Sequence, residues 1–129
     1  MKEDDKQLLL QDLCARLPYG VVCKPDVKSP IIAYSTLESI NRDINGGFFA
    51  NTKDRGIDGN ELASTACNIE YVVPYLRPMS SMTEEEREEL SNYENTIQRA
   101  DFFYSHHLDP RNLIEKGLAL EAPEGMYEK

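Results

Sequence analysis

The sequence lacks the long apolar runs of exported and membrane proteins. The charged N-terminal residues are followed by only three consecutive leucines, at positions 8–10. A signal peptide needs a longer apolar stretch, and a membrane span needs about 18 apolar residues. The three cysteines, Cys14, Cys23 and Cys67, are an odd number without CxxC spacing. We therefore predict a cytoplasmic protein whose reduced cysteines are small core-facing side chains.

Basic residues are also few. There are 14 Lys and Arg against 23 Asp and Glu, which gives a net charge of −9. Affinity for nucleic acids and for anionic membranes comes largely from Lys and Arg. We therefore predict no direct nucleic-acid binding and no membrane adhesion. Most of the excess acid lies in residues 65–129, which hold 13 acidic and 6 basic residues against 10 and 8 in residues 1–64.

The length and patterning predict a single α+β domain over residues 1–129. We expect a small antiparallel sheet of short strands in the N-terminal and middle part. It should pack with an N-terminal helix and two or three C-terminal helices. Residues 5–17 carry leucines at helical spacing, with Asp4 or Asp5 as the expected cap. Pro18 should end this helix.

The segment after the first helix predicts a hairpin of two short strands at residues 19–23 and 31–34. Residues 36–45 are ambiguous. Ser35 and Glu38 have the spacing of a capping box, which favours a short helix over an extended strand. Beyond it, a return strand is expected around residues 48–50.

Residues 51–65 are rich in Asp, Gly and Asn, and this composition is typical of a polar loop. Asp54, Asp58 and Gly59 occupy positions 1, 5 and 6 of an EF-hand loop, but Thr65 stands where a bidentate Glu is required. The pattern therefore predicts a solvated turn and not a calcium site. A further strand is expected at residues 69–73.

The C-terminal half contains the clearest helix signal. Thr83 and Glu86 form a second capping box, and acids in the first turn suit the positive end of the helix dipole. Apolar and aromatic side chains then recur at helical spacing, at Leu90, Tyr93, Ile97, Ala100, Tyr104 and His107. This stripe predicts either one helix of about 25 residues or two helices with a break near Thr96.

A second start signal follows at Asp109, where an aspartate precedes a proline at the first helical position. Leu113 and Ile114 would supply the buried side of this short last helix, and Gly117 would end it.

Four glutamates of the helix that begins after Thr83 are candidate partner-binding residues: Glu84, Glu85, Glu88 and Glu89. Such an acidic face could bind a basic protein partner, mainly by raising the association rate. The competing interpretation is a solvated first helical turn, in which the acids serve the helix alone.

His106, His107 and Asp109 are the cluster with metal or acid–base character. Adjacent histidines on a helix point about 100° apart, so both cannot bind one ion without help from elsewhere. A structural role is therefore favoured for all three, and no cofactor is predicted.

Four phrases of the sequence are distinctive: LCARLPYGV (13–21), PYLRPMSSMT (74–83), HHLD (106–109) and LIEKGLAL (113–120). They resemble a family of small proteins from gut Bacteroidetes and their phages or mobile elements. The resemblance covers about two-thirds of the chain. It implies a bacterial or phage-encoded cytoplasmic protein, and it carries over no activity, cofactor or catalytic residue.

No motif specifies a reaction. The sequence therefore predicts a non-enzymatic protein-interaction or accessory protein of a phage or mobile element. One alternative is an acidic DNA mimic that inhibits a nucleic-acid-binding protein. Another is a small metal-dependent or acid–base enzyme that uses His106, His107 and Asp109. Homo-oligomerisation is left open.

Overall fold

Four antiparallel strands form the main sheet in the order β1-β2-β3-β4. The computed structural model describes residues 2–25, 31–58 and 60–127. The elements are α1 (Glu3–Arg16), β1 (Val22–Cys23), β2 (Ile32–Arg42), β3 (Phe48–Gly56), β4 (Glu61–Asn68), β5 (Tyr75–Leu76), α2 (Glu84–Ser91), α3 (Thr96–Ser105) and β6 (Leu120–Glu121). This arrangement confirms the predicted α+β class, with strands β2 to β4 longer than expected. None of the described helices has the length and apolarity that a membrane crossing requires.

Helix α1 supplies one side of the core. Leu9 and Leu13 are fully buried with apolar side chains of the sheet and the C-terminal turns. The helix begins at Glu3, and its N-cap residue Lys2 makes no side-chain cap, so the expected Asp4 or Asp5 cap is wrong. Both aspartates instead lie in the first turn, where the dipole favours negative charge. The helix ends at Arg16, ahead of Pro18 as predicted.

A buried ion pair lies within α1, and its arginine also binds the segment after α3. Arg16 donates from Nε to Asp12 at 2.7 Å and from Nη2 to the carbonyl of Leu108 at 2.7 Å, and both charged side chains are fully buried. The Arg16 guanidinium also lies 4.9 Å from the centroid of the Tyr104 ring. Removing one partner of such a pair would leave an uncompensated buried charge.

Residues 36–45 do not form the favoured helix, because most of them belong to strand β2. Leu37 and Ile40 are three residues apart, yet they face the same side of the sheet, opposite Thr52 and Ala50. A register shift between Leu37 and Ser39 restores the phase, and this bulge imitates helical spacing in the sequence. Ile44, which would lie one helical turn beyond Ile40, is 99% exposed.

The predicted polar loop at residues 51–65 is also wrong, since most of it forms β3 and β4. Asp54 is buried and accepts hydrogen bonds from Ser35 Oγ at 2.6 Å and Thr65 Oγ1 at 2.8 Å. The carboxylate thus links three neighbouring strands from inside the sheet, and it is not part of a solvated turn. Asp58 does lie in an exposed turn.

The hairpin of β1 with β2 is confirmed by the pairs Val22–Thr36 and Cys23–Ser35. The expected strand at 69–73 is wrong: Ile69–Tyr71 is a short 3₁₀ turn. The chain then enters β5, which pairs in parallel with β6 near the C-terminus. Parallel pairing brings together residues about 45 positions apart.

The C-terminal stripe divides into two helices. Asn95 caps α3 by accepting from the backbone N–H of Ile97 at 2.7 Å. Ile97 itself is 71% exposed, so the stripe does not continue across the break. Phe102 instead joins Leu90 in a second apolar cluster.

The helix expected after Asp109 does not form, and residues 110–117 make turns. Asp109 is buried and accepts from the N–H groups of Leu113 at 2.9 Å and Ile114 at 3.0 Å. The capping chemistry is therefore present without a following helix.

Two of the three cysteines are in the core as expected. Cys23 and Cys67 are buried, whereas Cys14 is exposed, so its predicted burial is wrong. Burial chiefly raises the pKa of the Cys23 thiol to about 12.

Candidate partner-binding surface

The glutamates of α2 separate into one that is bound and four that are exposed. Glu86 accepts from Arg77 Nη2 at 2.7 Å and Nη1 at 2.8 Å, a bidentate pair. It also accepts from the Thr83 N–H at 3.0 Å, and its own N–H donates to Thr83 Oγ1 at 3.1 Å. This reciprocal pair confirms the predicted capping box. Chiefly through the hydrogen bonds from Arg77, the pKa of Glu86 falls to about 2.

Arg77 holds Glu86 in place from outside the helix. Its guanidinium also donates to the carbonyls of Ser81 at 3.2 Å and His106 at 3.3 Å, and its backbone N–H donates to the His107 carbonyl at 2.7 Å. The arginine therefore fixes the start of α2 against the end of α3. Arg77 therefore has a structural role, and it neutralises the charge of Glu86.

Glu84, Glu85, Glu88 and Glu89 are all exposed. In the described part of the chain, Glu84, Glu85 and Glu88 take part in no ion pair, while Glu89 lies 3.7 Å from His106 Nε2. Glu84 and Glu88 are one helical turn apart, as are Glu85 and Glu89. Like charges at this spacing destabilise a helix by a few tenths of a kcal/mol.

The helix dipole explains only half of this cluster. Helix α2 has eight residues, so Glu84 and Glu85 lie in its first turn, but Glu88 and Glu89 lie in its last turn. Negative charge there faces the negative end of the dipole and is unfavourable. The last turn contains no basic residue. The solvated-turn interpretation therefore fits Glu84 and Glu85. Glu89 has its contact with His106, whereas Glu88 has no ion pair among the described residues that would offset its unfavourable position.

A cleft of about 480 Å³ opens beside the start of α2. One wall comes from the segment around α2, and the opposite wall comes from the chain after β6. Its lining includes Arg77, Ser81, Glu86, Glu121, Glu124 and Tyr127. The lining thus holds three carboxylates and one guanidinium, which already pairs with Glu86. The remaining character of the cleft is acidic.

The three residues of the predicted metal or acid–base cluster, His106, His107 and Asp109, make contacts in three separate places. His106 Nδ1 lies 3.1 Å from Glu86, and the His106 ring packs 4.4 Å from that of Phe102. His107 stacks on Tyr127 with 3.7 Å between ring centroids, and chiefly its burial lowers its pKa to about 4. Asp109 caps the turn described above. No group of three or more His, Cys, Asp or Glu among residues 2–25, 31–58 and 60–127 could hold a metal ion.

Sequence reasoning identified the exposed glutamates but missed the cleft at the start of α2. Arg77, Glu121 and Glu124 have no short-range motif that joins them to Glu86. Their proximity depends on the parallel pairing of β5 with β6. Comparison with protein-family models, curated proteins and solved structures finds no match.

Proposed function

We propose that the chain is a non-enzymatic cytoplasmic protein-interaction protein that binds a basic segment of a protein partner. The binding surface consists of the exposed face of α2, formed by Glu84, Glu85, Glu88 and Glu89, together with the adjoining cleft. The observation that supports this best is the pair Glu88 and Glu89 in the last turn of an eight-residue helix. Acids at that end destabilise the helix, and of the two only Glu89 has a partner in the described part of the chain, His106 at 3.7 Å. A cationic ligand is the explanation that we propose for the cluster.

The charges of the site favour a cationic ligand. Glu86 is neutralised by Arg77, whereas Glu84, Glu85 and Glu88 take part in no ion pair in the described part of the chain, and Glu89 lies 3.7 Å from His106. Rim charges of this kind steer association and select partners by sign. The cleft adds Glu121 and Glu124 beside the start of α2, and these carboxylates suit a further Lys or Arg side chain of the same ligand.

A short basic segment fits better than DNA mimicry. Helix α2 is about 12 Å long at 1.5 Å per residue, whereas one turn of DNA extends about 34 Å. An acid–base enzyme would need convergent side chains, and the histidine cluster supplies none. An accessory role in a phage or mobile element, implied by the sequence resemblance, is part of the proposal.

The test compares two variants that lose the same charge. In the first, Glu84, Glu85, Glu88 and Glu89 are all replaced by Gln. In the control, four exposed acids elsewhere are neutralised by the substitutions Glu3→Gln, Asp4→Asn, Glu38→Gln and Glu115→Gln. The probe is a fluorescent arginine-rich peptide, titrated by anisotropy at near-physiological salt.

We expect the peptide to bind the wild type and the control with similar affinity. The α2 variant should bind at least about tenfold more weakly, which corresponds to about 1.4 kcal/mol. Amide NMR shifts should change around α2 and residues 121–125. Equal weakening in both variants, or shift changes spread over all acidic surfaces, would show that net charge alone attracts the peptide and would overturn the proposed site.

A further inference from the structure

A second pocket lies near the end of α2, where the turn after this helix meets α3 and the 3₁₀ turn after α1. Its volume is about 270 Å³. Three aromatic side chains contribute to its lining, Tyr19, Tyr93 and Phe102, together with the carboxylates of Glu89 and Asp101. Aromatic rings attract cations by cation–π interactions, and carboxylates attract them by charge. The pocket therefore combines two means of binding a positively charged side chain.

The local structure positions the aromatic side chains of the pocket. Arg99 Nη1 donates to the carbonyl of Tyr93 at 3.2 Å, which holds the turn that carries Tyr93 against α3. The ring centroids of Tyr93 and Phe102 are 6.2 Å apart. Burial, followed by the carboxylate of Asp101, raises the pKa of the Tyr19 phenol, so these two lining residues interact. Phe102 is buried, whereas Tyr19 and Tyr93 are half-buried and remain partly accessible to a ligand.

The charges around the pocket favour a cation as its occupant. The segments that form it, residues 17–20 and 89–105, contain the three acids Glu89, Glu94 and Asp101 and the single base Arg99. That guanidinium already donates to main-chain carbonyls. His106 follows directly, and it lies 3.1 Å from the carboxylate of Glu86 as well as 3.7 Å from that of Glu89. The acids therefore outnumber the permanent positive charges at this site.

We propose that this pocket holds the guanidinium group of an arginine in the basic segment that binds α2. A planar guanidinium stacks on aromatic rings and pairs with carboxylates, whereas the ammonium of lysine is compact and strongly hydrated. Glu89 belongs both to the pocket and to the exposed face of α2, so one segment can contact both. The inference rests on the proposed function. It adds the requirement that the partner presents arginine, which net charge alone does not impose.

The test compares two peptides of equal length and charge, one with arginine and the other with lysine at the same positions. Each is titrated by anisotropy against the full chain. Two variants remove one ring of the pocket, Tyr93→Leu and Tyr19→Leu. Two controls are Tyr93→Phe, which keeps the ring, and Tyr71→Leu, which removes a tyrosine that is 60% exposed outside the pocket. Circular dichroism and amide NMR spectra establish that each variant is folded.

We expect the wild type, Tyr93→Phe and Tyr71→Leu to bind the arginine peptide at least about fivefold more tightly than the lysine peptide. In Tyr93→Leu and Tyr19→Leu this preference should fall below about twofold, because the lost ring served the guanidinium. Their affinity for the lysine peptide should stay near that of the wild type. A preference that survives both ring substitutions, or that Tyr71→Leu removes equally, would overturn the proposal.

The two peptides also distinguish this inference from the proposed function. If the wild type binds both peptides equally, and the variant with Gln at positions 84, 85, 88 and 89 binds both more weakly, the arginine pocket is refuted and the acidic surface stands. If the wild type binds neither peptide, both proposals are refuted.

Discussion

Replacing Glu86 by Gln isolates the charge of the Arg77 ion pair. Glutamine at this position can still complete the capping box with Thr83, so the substitution removes the carboxylate and keeps the local geometry. The pKa of Glu86 falls from 4.5 to about 2, and this shift sets an upper limit of about 3 kcal/mol on what the charge of Glu86 contributes to the free energy of unfolding. The Glu86 and Arg77 side chains are 14% and 23% exposed. Water and salt therefore screen the pair, and we expect a loss of about 1–2 kcal/mol at pH 7.

The Glu86–Arg77 pair should make the free energy of unfolding depend on pH. Because the folded pKa of Glu86 lies below its ordinary value, its stabilisation is fully present above about pH 4.5 and is lost as the pH falls toward about 2. Urea unfolding of the wild type should show this decline. The Glu86→Gln variant should be less stable at pH 7 and should lack that part of the slope.

The matched control is Glu85→Gln, which neutralises the neighbouring exposed acid. Its free energy of unfolding at pH 7 should change by less than about 0.5 kcal/mol. If Glu86→Gln and Glu85→Gln have equal stability, or if the wild type and Glu86→Gln lose stability in parallel between pH 4.5 and 2, the reasoning about this pair is refuted.

Three further substitutions test the rest of the fold. Asp12→Ala leaves the buried Arg16 without its partner, so urea unfolding should show a loss of about 3–5 kcal/mol, and a loss below about 1 kcal/mol contradicts the buried pair. The pKa of His107 is lowered from 6.5 to about 4, so NMR titration should give a midpoint near 4. Stability should decline as the pH falls from 6.5 to 4, and His107→Gln should abolish that decline. Asn95→Ala removes the cap of α3 and should lower the free energy of unfolding, measured by thermal unfolding, by about 1 kcal/mol. An unchanged melting temperature would show that the cap does not stabilise α3.

Some local signals in the sequence predicted local structure correctly. The Thr83 and Glu86 capping box forms as expected, because its partners are three residues apart and their contact requires no other element. The stop before Pro18 is of the same kind. The same spacing of Ser35 and Glu38 predicted a helix wrongly, since Ser35 hydrogen-bonds to Asp54 on the next strand.

Interactions between distant residues explain the other errors. The bulge in β2 places Leu37 and Ile40 on one face and imitates a helical period. The charged side chain of Asp54 favoured a loop prediction. In the structure its carboxylate is buried in the sheet, where it accepts hydrogen bonds from hydroxyl groups of the two neighbouring strands. The cleft beside α2 depends on the pairing of β5 with β6, and no periodicity in the sequence indicates that contact.

The exposed glutamates could be predicted from the sequence. Whether they stabilise the start of a helix or form a binding face could not. Five acids between positions 84 and 89 fit a helix start as well as a binding face. The length of α2 separates these interpretations, since a helix that ends at Ser91 places Glu88 and Glu89 in its last turn. A helix of about 25 residues, the other prediction, would have placed both near its favourable end.

Affinity capture from a lysate of the organism that encodes the chain tests the central claim most directly. Three tagged baits are compared: the wild type, the variant with Gln at positions 84, 85, 88 and 89, and the control with four neutralised acids elsewhere. We predict that the wild type and the control enrich the same protein, that it carries a basic segment, and that the α2 variant fails to retain it. Recovery of the same proteins by all three baits, or of none above background by the wild type, would contradict the account.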